Sequence, residues 1–137
     1  MREVKFKGER LDNGEWIFGD LIENQGRFFI YHATNETTIE DSDNGRISIV
    51  AVEVDPSTVG QYTGMKDKNG KEIYERYILR IYYDDGDSSL TDVRDFGEID
   101  YYTDDSDYTI LAWFDPEKCE VIGNIHDNPE LLKGGQR

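Results

Sequence analysis

The sequence predicts a small all-β fold, and three observations carry that prediction. Apolar residues recur in short runs rich in Val, Ile, Tyr and Phe, the composition of a pleated, half-buried surface. Clusters of Gly, Asn, Asp and Pro punctuate those runs at short intervals. No segment sustains the three-to-four-residue apolar period of a long amphipathic helix.

The elements follow in order. Val4 to Lys7 is a brief alternating strand. Trp16 to Ile22 carries apolar residues on both parities (Trp16, Phe18 and Ile22; Ile17 and Leu21), which reads as a strand covered on both faces. Asn24-Gln25-Gly26 turns the chain into Phe28-Phe29-Ile30-Tyr31, so these two runs are expected to pair as a hairpin. Residues 34–45 are polar and read as an exposed loop. Arg46 to Val54 is dense in β-branched side chains and is expected to be a strand, ended by Asp55-Pro56. Residues 1–60 thus form a β-meander of about four strands.

A second group occupies residues 61–137. Lys68-Asn69-Gly70 marks a tight turn. Tyr77 to Tyr83 is a strand, broken by Asp84-Asp85-Gly86-Asp87. Val93 to Thr103 resumes, bent or bulged at Gly97. Tyr108 to Phe114, apolar on both faces, and Cys119 to Ile125 complete the strands. Asp127-Asn128-Pro129-Glu130 fits a helix start, with Pro129 at the first helical position. Only Leu131 and Leu132 follow before Gly134-Gly135, so one helical turn is expected. At 137 residues the chain is one domain, or two very small ones sharing a core. It needs no disulfide, and a single cysteine supplies none.

Charge narrows function more than motifs do. Thirty acidic side chains against fifteen basic ones give a net charge of −15, which argues against autonomous binding to a phosphate backbone. Residues 61–83 carry a small basic excess in Lys66, Lys68, Lys71, Arg76 and Arg80, expected to pair with the acidic second half. The carboxylates Asp84, Asp85, Asp87, Asp92, Asp95, Glu98, Asp100, Asp104, Asp105 and Asp107 surround the lone Arg94. One reading makes them solvated loops. The other makes them an interaction surface for a basic protein, or an imitation of a phosphate backbone. No secretory leader and no long apolar run occurs, so the expectation is a soluble, cytoplasmic protein without membrane contact.

Site chemistry is thin. An EF-hand loop needs Gly at its sixth position and Glu at its twelfth. Neither Asp84-Asp85-Gly86-Asp87, Asp41-Ser42-Asp43-Asn44-Gly45 nor Asp67-Lys68-Asn69-Gly70 meets that spacing. Cys119 with His32 or His126, backed by Asp127, is the one candidate nucleophilic group. Cys119 opens an apolar strand, however, where cysteine is ordinarily a small buried hydrophobe. Phosphate-loop, dinucleotide and HExxH motifs are absent. Tyr82-Tyr83 and Tyr101-Tyr102 put rings on both faces of their strands, among aspartates rather than beside a basic groove. The expectation is therefore a non-enzymatic protein without a cofactor or bound metal. Strands apolar on both faces in so short a chain point to a homo-oligomer.

Two segments carry a resemblance. Tyr62-Thr63-Gly64-Met65-Lys66-Asp67-Lys68-Asn69-Gly70-Lys71-Glu72-Ile73-Tyr74-Glu75 and Val121-Ile122-Gly123-Asn124-Ile125-His126-Asp127-Asn128-Pro129-Glu130-Leu131-Leu132 are similar to the hallmark segments of the YopX family of phages and prophages. The opening Arg2-Glu3-Val4-Lys5-Phe6-Lys7 also resembles its N-terminus. The resemblance implies a small SH3-like β-barrel in residues 61–137 with the N-terminal meander packed on it, in a host-cell cytoplasmic protein. It implies no catalytic residues. One departure stands out: where the family usually continues with Gly-Asp-Ile-Val, this chain has Arg76-Tyr77-Ile78-Leu79. Without the family, the turn at Lys68-Asn69-Gly70 and the close approach allowed by Gly123 still read as structural.

Overall fold

A computed structural model describes residues 5–31, 51–102 and 107–132. The described strands form three antiparallel sheets, and no α-helix occurs among these residues. The chain divides into two compact units in sequence, Val4–Gln61 and Tyr62–Arg137.

In the first unit, β1 (Phe6–Glu9), β2 (Trp16–Asn24), β3 (Arg27–Tyr31) and β4 (Ala51–Val54) lie in the order β4-β3-β2-β1. The β2–β3 hairpin has the expected register, Asn24 opposite Arg27. Its loop holds Gln25 at φ 55° and Gly26 at φ 80°, the pair of positive values that matches strand twist. Asp55 caps the turn Pro56–Thr58 by accepting the Ser57 amide at 3.0 Å. Ile30 and Val54 are fully buried. So is Lys7, whose ammonium donates to the Thr58 carbonyl at 3.2 Å and sits 4.2 Å from the Trp16 ring centre. Within the chain the coverage expected on both faces of β2 is partial: Trp16, Ile17 and Leu21 are half-buried, while Phe18 and Ile22 are 37% and 43% exposed. Of the predicted strand 46–54, Ala51–Val54 is present and the remainder, like the loop 34–45, lies outside the described residues.

In the second unit, the end of β5 (Gly60–Lys66) pairs with β6 (Glu72–Tyr74). A separate sheet has the order β11-β7-β8, from β7 (Tyr77–Tyr82), β8 (Ser88–Asp92) and β11 (Cys119–Asn124). Among the described residues, β9 (Glu98–Asp100) and β10 (Tyr108–Ile110) pair only with each other. Tyr62, Ile73, Tyr74, Leu79, Ile81 and Cys119 belong to the buried cluster.

The SH3-like barrel is not observed; no closed barrel forms among the described residues. The strands of this unit pair in separate sheets rather than in one continuous ladder, and β9 meets β8 through a side chain, the Asp100 amide donating to the Thr91 hydroxyl at 2.9 Å. The single strand expected over residues 93–103 is likewise replaced. β8 precedes it, a tight turn at Asp95–Gly97 makes the bend expected at Gly97, and among the described residues of this stretch only Glu98–Asp100 pairs as a strand. β8 escapes a periodicity search because Ser88-Ser89-Leu90-Thr91-Asp92 holds one large apolar residue. Tyr108 to Phe114 is a strand only to Ile110; Leu111–Trp113 is a 3₁₀ turn, with Trp113 81% exposed. The C-terminal helical turn is 3₁₀, Pro129–Leu132. Arg76, standing where the resemblance places glycine, has φ 75°, a conformation glycine adopts without cost.

Candidate functional site

The two hallmark segments meet. Asp67 is buried, and its carboxylate accepts three backbone amides: Asn69 and Lys71 at 2.9 Å on Oδ1, and Val121 at 2.8 Å on Oδ2. Burial pushes the Asp67 pKa up, but these bonds, with Lys71 nearby, outweigh it and hold the carboxyl below its ordinary value. Next to it, the Lys68 amide donates to the Cys119 carbonyl at 3.1 Å. The second segment closes on itself: Asn128 Oδ1 accepts the Asn124 amide at 3.2 Å, and the Asn128 amide donates to the Asn124 carbonyl at 2.8 Å. A Cβ on Gly123 would lie 2.5 Å from Asn128 Oδ1, so only glycine permits that closure. Both segments are occupied with holding structure.

Cys119 is fully buried and donates its thiol to the Pro116 carbonyl at 3.6 Å. Burial, then the nearby Asp67 and Asp115 carboxylates, push the thiol up to about 12, opposite to what a nucleophilic cysteine needs. His126 sits in the turn after β11, and His32 lies outside the described residues. Among the described residues no group of three or more His, Cys, Asp or Glu side chains is placed to hold a metal ion.

The acidic run resolves into several surroundings. Arg94 bridges three of its carboxylates: Asp100 at 2.8 Å, Glu98 at 3.0 Å and Asp92 at 3.4 Å. Asp95 pairs with Arg76 at 2.8 Å, and Asp84 with Lys118 at 3.1 Å. Asp85 Oδ1 accepts the Asp87 amide at 2.9 Å across the turn at Gly86. Asp107 is exposed just before β10, while Asp104 and Asp105 lie outside the described residues. Of the small basic group, Arg76 meets the acidic half directly, and Lys68 stands 4.5 Å over the Tyr82 ring. Tyr82 in turn donates to Glu120 at 2.9 Å, and Tyr101 stacks on Tyr83 with ring centres 5.3 Å apart.

The bend expected at Gly97 is a tight turn beside Arg94, and the residue exposed at its tip is what the sequence reading missed. Phe96 and Gly97 have φ 65° and 77°, the central pair of a tight turn that the Glu98 amide closes by donating to the Asp95 carbonyl. Such a turn favours Asn at its first central position; here a phenylalanine occupies it and is 90% exposed. With Tyr108 and Ile110 it gives the apolar lining of a concavity of about 700 Å³, whose charged lining is the Arg76–Asp95 and Arg94–Glu98 pairs. The available signal was the bulky residue directly before Gly97.

A family model described as YopX protein matches residues 5–133. The SPbeta prophage-derived uncharacterized protein YopX of Bacillus subtilis (strain 168) is 38% identical over 71 residues, an alignment that covers 47% of this chain and 53% of that protein. The chain thus spans about half the length of that curated relative. The crystal structure of protein yopX from Bacillus subtilis superposes with a TM-score of 0.61 at 24% identity, covering 97% of this chain and 100% of that one. The crystal structure of protein EF1440 from Enterococcus faecalis gives a TM-score of 0.55 at 22% identity, with the same coverage. At these identities the two structures speak for the fold.

Proposed function

Because this chain belongs to the YopX family, we propose that it is a non-enzymatic prophage accessory protein that acts through protein–protein contacts and associates with itself. Its Bacillus subtilis relative is a prophage-derived protein. The observation that supports the reading is the partial exposure of two large apolar side chains on one face of β2. Phe18 and Ile22 are 37% and 43% exposed and lie on the same side of the strand as Trp16. Leaving large apolar side chains in water forgoes roughly 25 cal/mol for each Å² that a second copy would cover. Against an enzymatic reading stand the engaged hallmark segments and the deeply buried, high-pKa Cys119.

Phosphate mimicry is the alternative for the acidic run. It is disfavoured by geometry, because Asp92, Glu98 and Asp100 are turned onto Arg94 rather than spaced along a surface. The deciding experiment is a solution mass by light scattering across a salt series. Self-association through an apolar face gives a mass above 15.9 kDa that high salt leaves unchanged, and that falls to the single-chain value in Phe18→Ser/Ile22→Ser. A single-chain mass for the unaltered protein at all concentrations overturns it.

A further inference from the structure

β8 has one edge that no strand occupies among the described residues. The Tyr83 amide donates to the Asp87 carbonyl and the Val93 amide to the Tyr77 carbonyl, both at 2.9 Å. Between them the ladder to β7 uses the backbones of Ser89 and Thr91. Ser88, Leu90 and Asp92 therefore turn their N–H and C=O groups away from β7. Among the described residues only the Thr91 hydroxyl reaches one of these groups, donating to the Asp92 carbonyl at 3.1 Å.

A groove follows that edge. One concavity of about 260 Å³ has Leu90, Tyr102 and Leu132 as its apolar lining. A second, of about 470 Å³, runs past Ser88 to Asp85 and Asp87. The two share Ser89 and Tyr102. Tyr102 is held in place: its amide donates to the Tyr83 hydroxyl at 3.2 Å, and that hydroxyl lies 2.9 Å from the Ser89 hydroxyl. Tyr102 is nonetheless 56% exposed.

The edge selects an extended chain, because only an extended backbone meets its alternating N–H and C=O groups in step. Charge counts against a second copy. Antiparallel pairing of two β8 strands about Leu90 sets Asp85 opposite Asp95 of the second copy, and in-register parallel pairing sets Asp85 opposite Asp85. Asp84 is paired with Lys118, but among the described residues no cation bridges Asp85 or Asp87. A basic side chain complements that end of the groove.

We propose that the edge of β8 docks an extended segment of a partner protein, which adds to the sheet as a strand. It sets an apolar side chain against Tyr102 and Leu132 and brings a basic one to Asp85 and Asp87. The proposal rests on the protein-contact reading and deepens it, with a face and a partner separate from self-association through β2.

The test uses the full-length, ¹⁵N-labelled chain and the peptide acetyl-Lys-Thr-Val-Thr-Val-Thr-Lys-amide. Before peptide is added, the Leu90 amide should exchange with solvent at least about tenfold faster than those of Ser89 and Thr91. With peptide, amide shifts and new exchange protection should centre on Ser88–Asp92. Leu90→Pro removes an N–H that the sheet does not use and should weaken binding about tenfold. Asp85→Asn/Asp87→Asn should weaken it about threefold at low salt. With the unaltered chain, N-methylation of the peptide's valines or of its threonines should abolish binding in one case only, since a single alternation faces the edge. That arm decides the matter even where Leu90→Pro misfolds. No binding, shifts centred away from β8, a Leu90 amide as protected as its neighbours, unchanged affinity in folded Leu90→Pro, or equal binding by both methylated peptides each overturns the docking site. The solution mass of the same samples reports self-association separately, so failure of one reading is not mistaken for failure of the other.

Discussion

The Asp67 carboxylate accepts the Val121 amide at 2.8 Å across 54 positions of sequence. With Asn69 and Lys71 donating to its other oxygen, one buried side chain closes its own turn and fastens it to β11. Asp67→Asn replaces one of these acceptor oxygens by an amide that cannot accept, and should cost about 2–3 kcal/mol by urea unfolding.

The same carboxyl gives a pH signature. Its folded pKa is lowered, so the unfolded chain binds the proton first as pH drops. The stabilisation is complete above the unfolded aspartate value of about 4 and is lost as pH falls through the lower folded value. Stability of the unaltered protein should therefore fall more steeply below about pH 4 than that of Asp67→Asn. Parallel curves would remove Asp67 as the cause.

Arg94 makes the opposite kind of contribution. Arg94→Met leaves Asp92, Glu98 and Asp100 facing one another without their shared cation. A destabilisation of about 1–3 kcal/mol at neutral pH and low salt is expected, narrowing as added salt screens the repulsion. A deficit unchanged by salt would point to lost packing of the arginine stem instead.

Phe96→Asn should raise stability by about 1 kcal/mol, since Asn tolerates the left-handed backbone and the exposed ring surrenders little burial. Chemical denaturation measures it. A loss of stability would mean that the ring packs more than its 90% exposure indicates.

Cys119 should resist thiol reagents in the folded protein. A thiol raised to about 12 holds roughly 10³-fold less thiolate at pH 8 than an ordinary cysteine. Reaction with a disulfide reagent should then follow unfolding, appearing only as urea is added. Rapid labelling of the native protein would contradict the buried placement.

Turns and caps were legible because their signals are local. Asn24-Gln25-Gly26, Lys68-Asn69-Gly70 and Asp55-Pro56 each bend the chain at a glycine or proline whose own backbone preference serves the turn. The departures are non-local. The expected barrel resolves into separate sheets, and the Asp100 amide goes to the Thr91 hydroxyl across positions that no sequence pattern pairs. The acidic run looked uniform in one dimension, yet Asp92, Glu98 and Asp100 gather on Arg94 while Asp85 and Asp87 remain in a turn. Asp67 looked like one of many loop aspartates, because nothing in its neighbourhood reveals that Val121 will be overhead.

β11 is the outermost strand of its sheet, and an outermost strand is where one chain can be copied onto by the next. Lys68 and Asp67 take up the Cys119 carbonyl and the Val121 amide, two groups that a foreign strand would need to begin zipping on. The backbone template of Cys119–Asn124 is thereby closed to an incoming strand at two of its outward-facing groups.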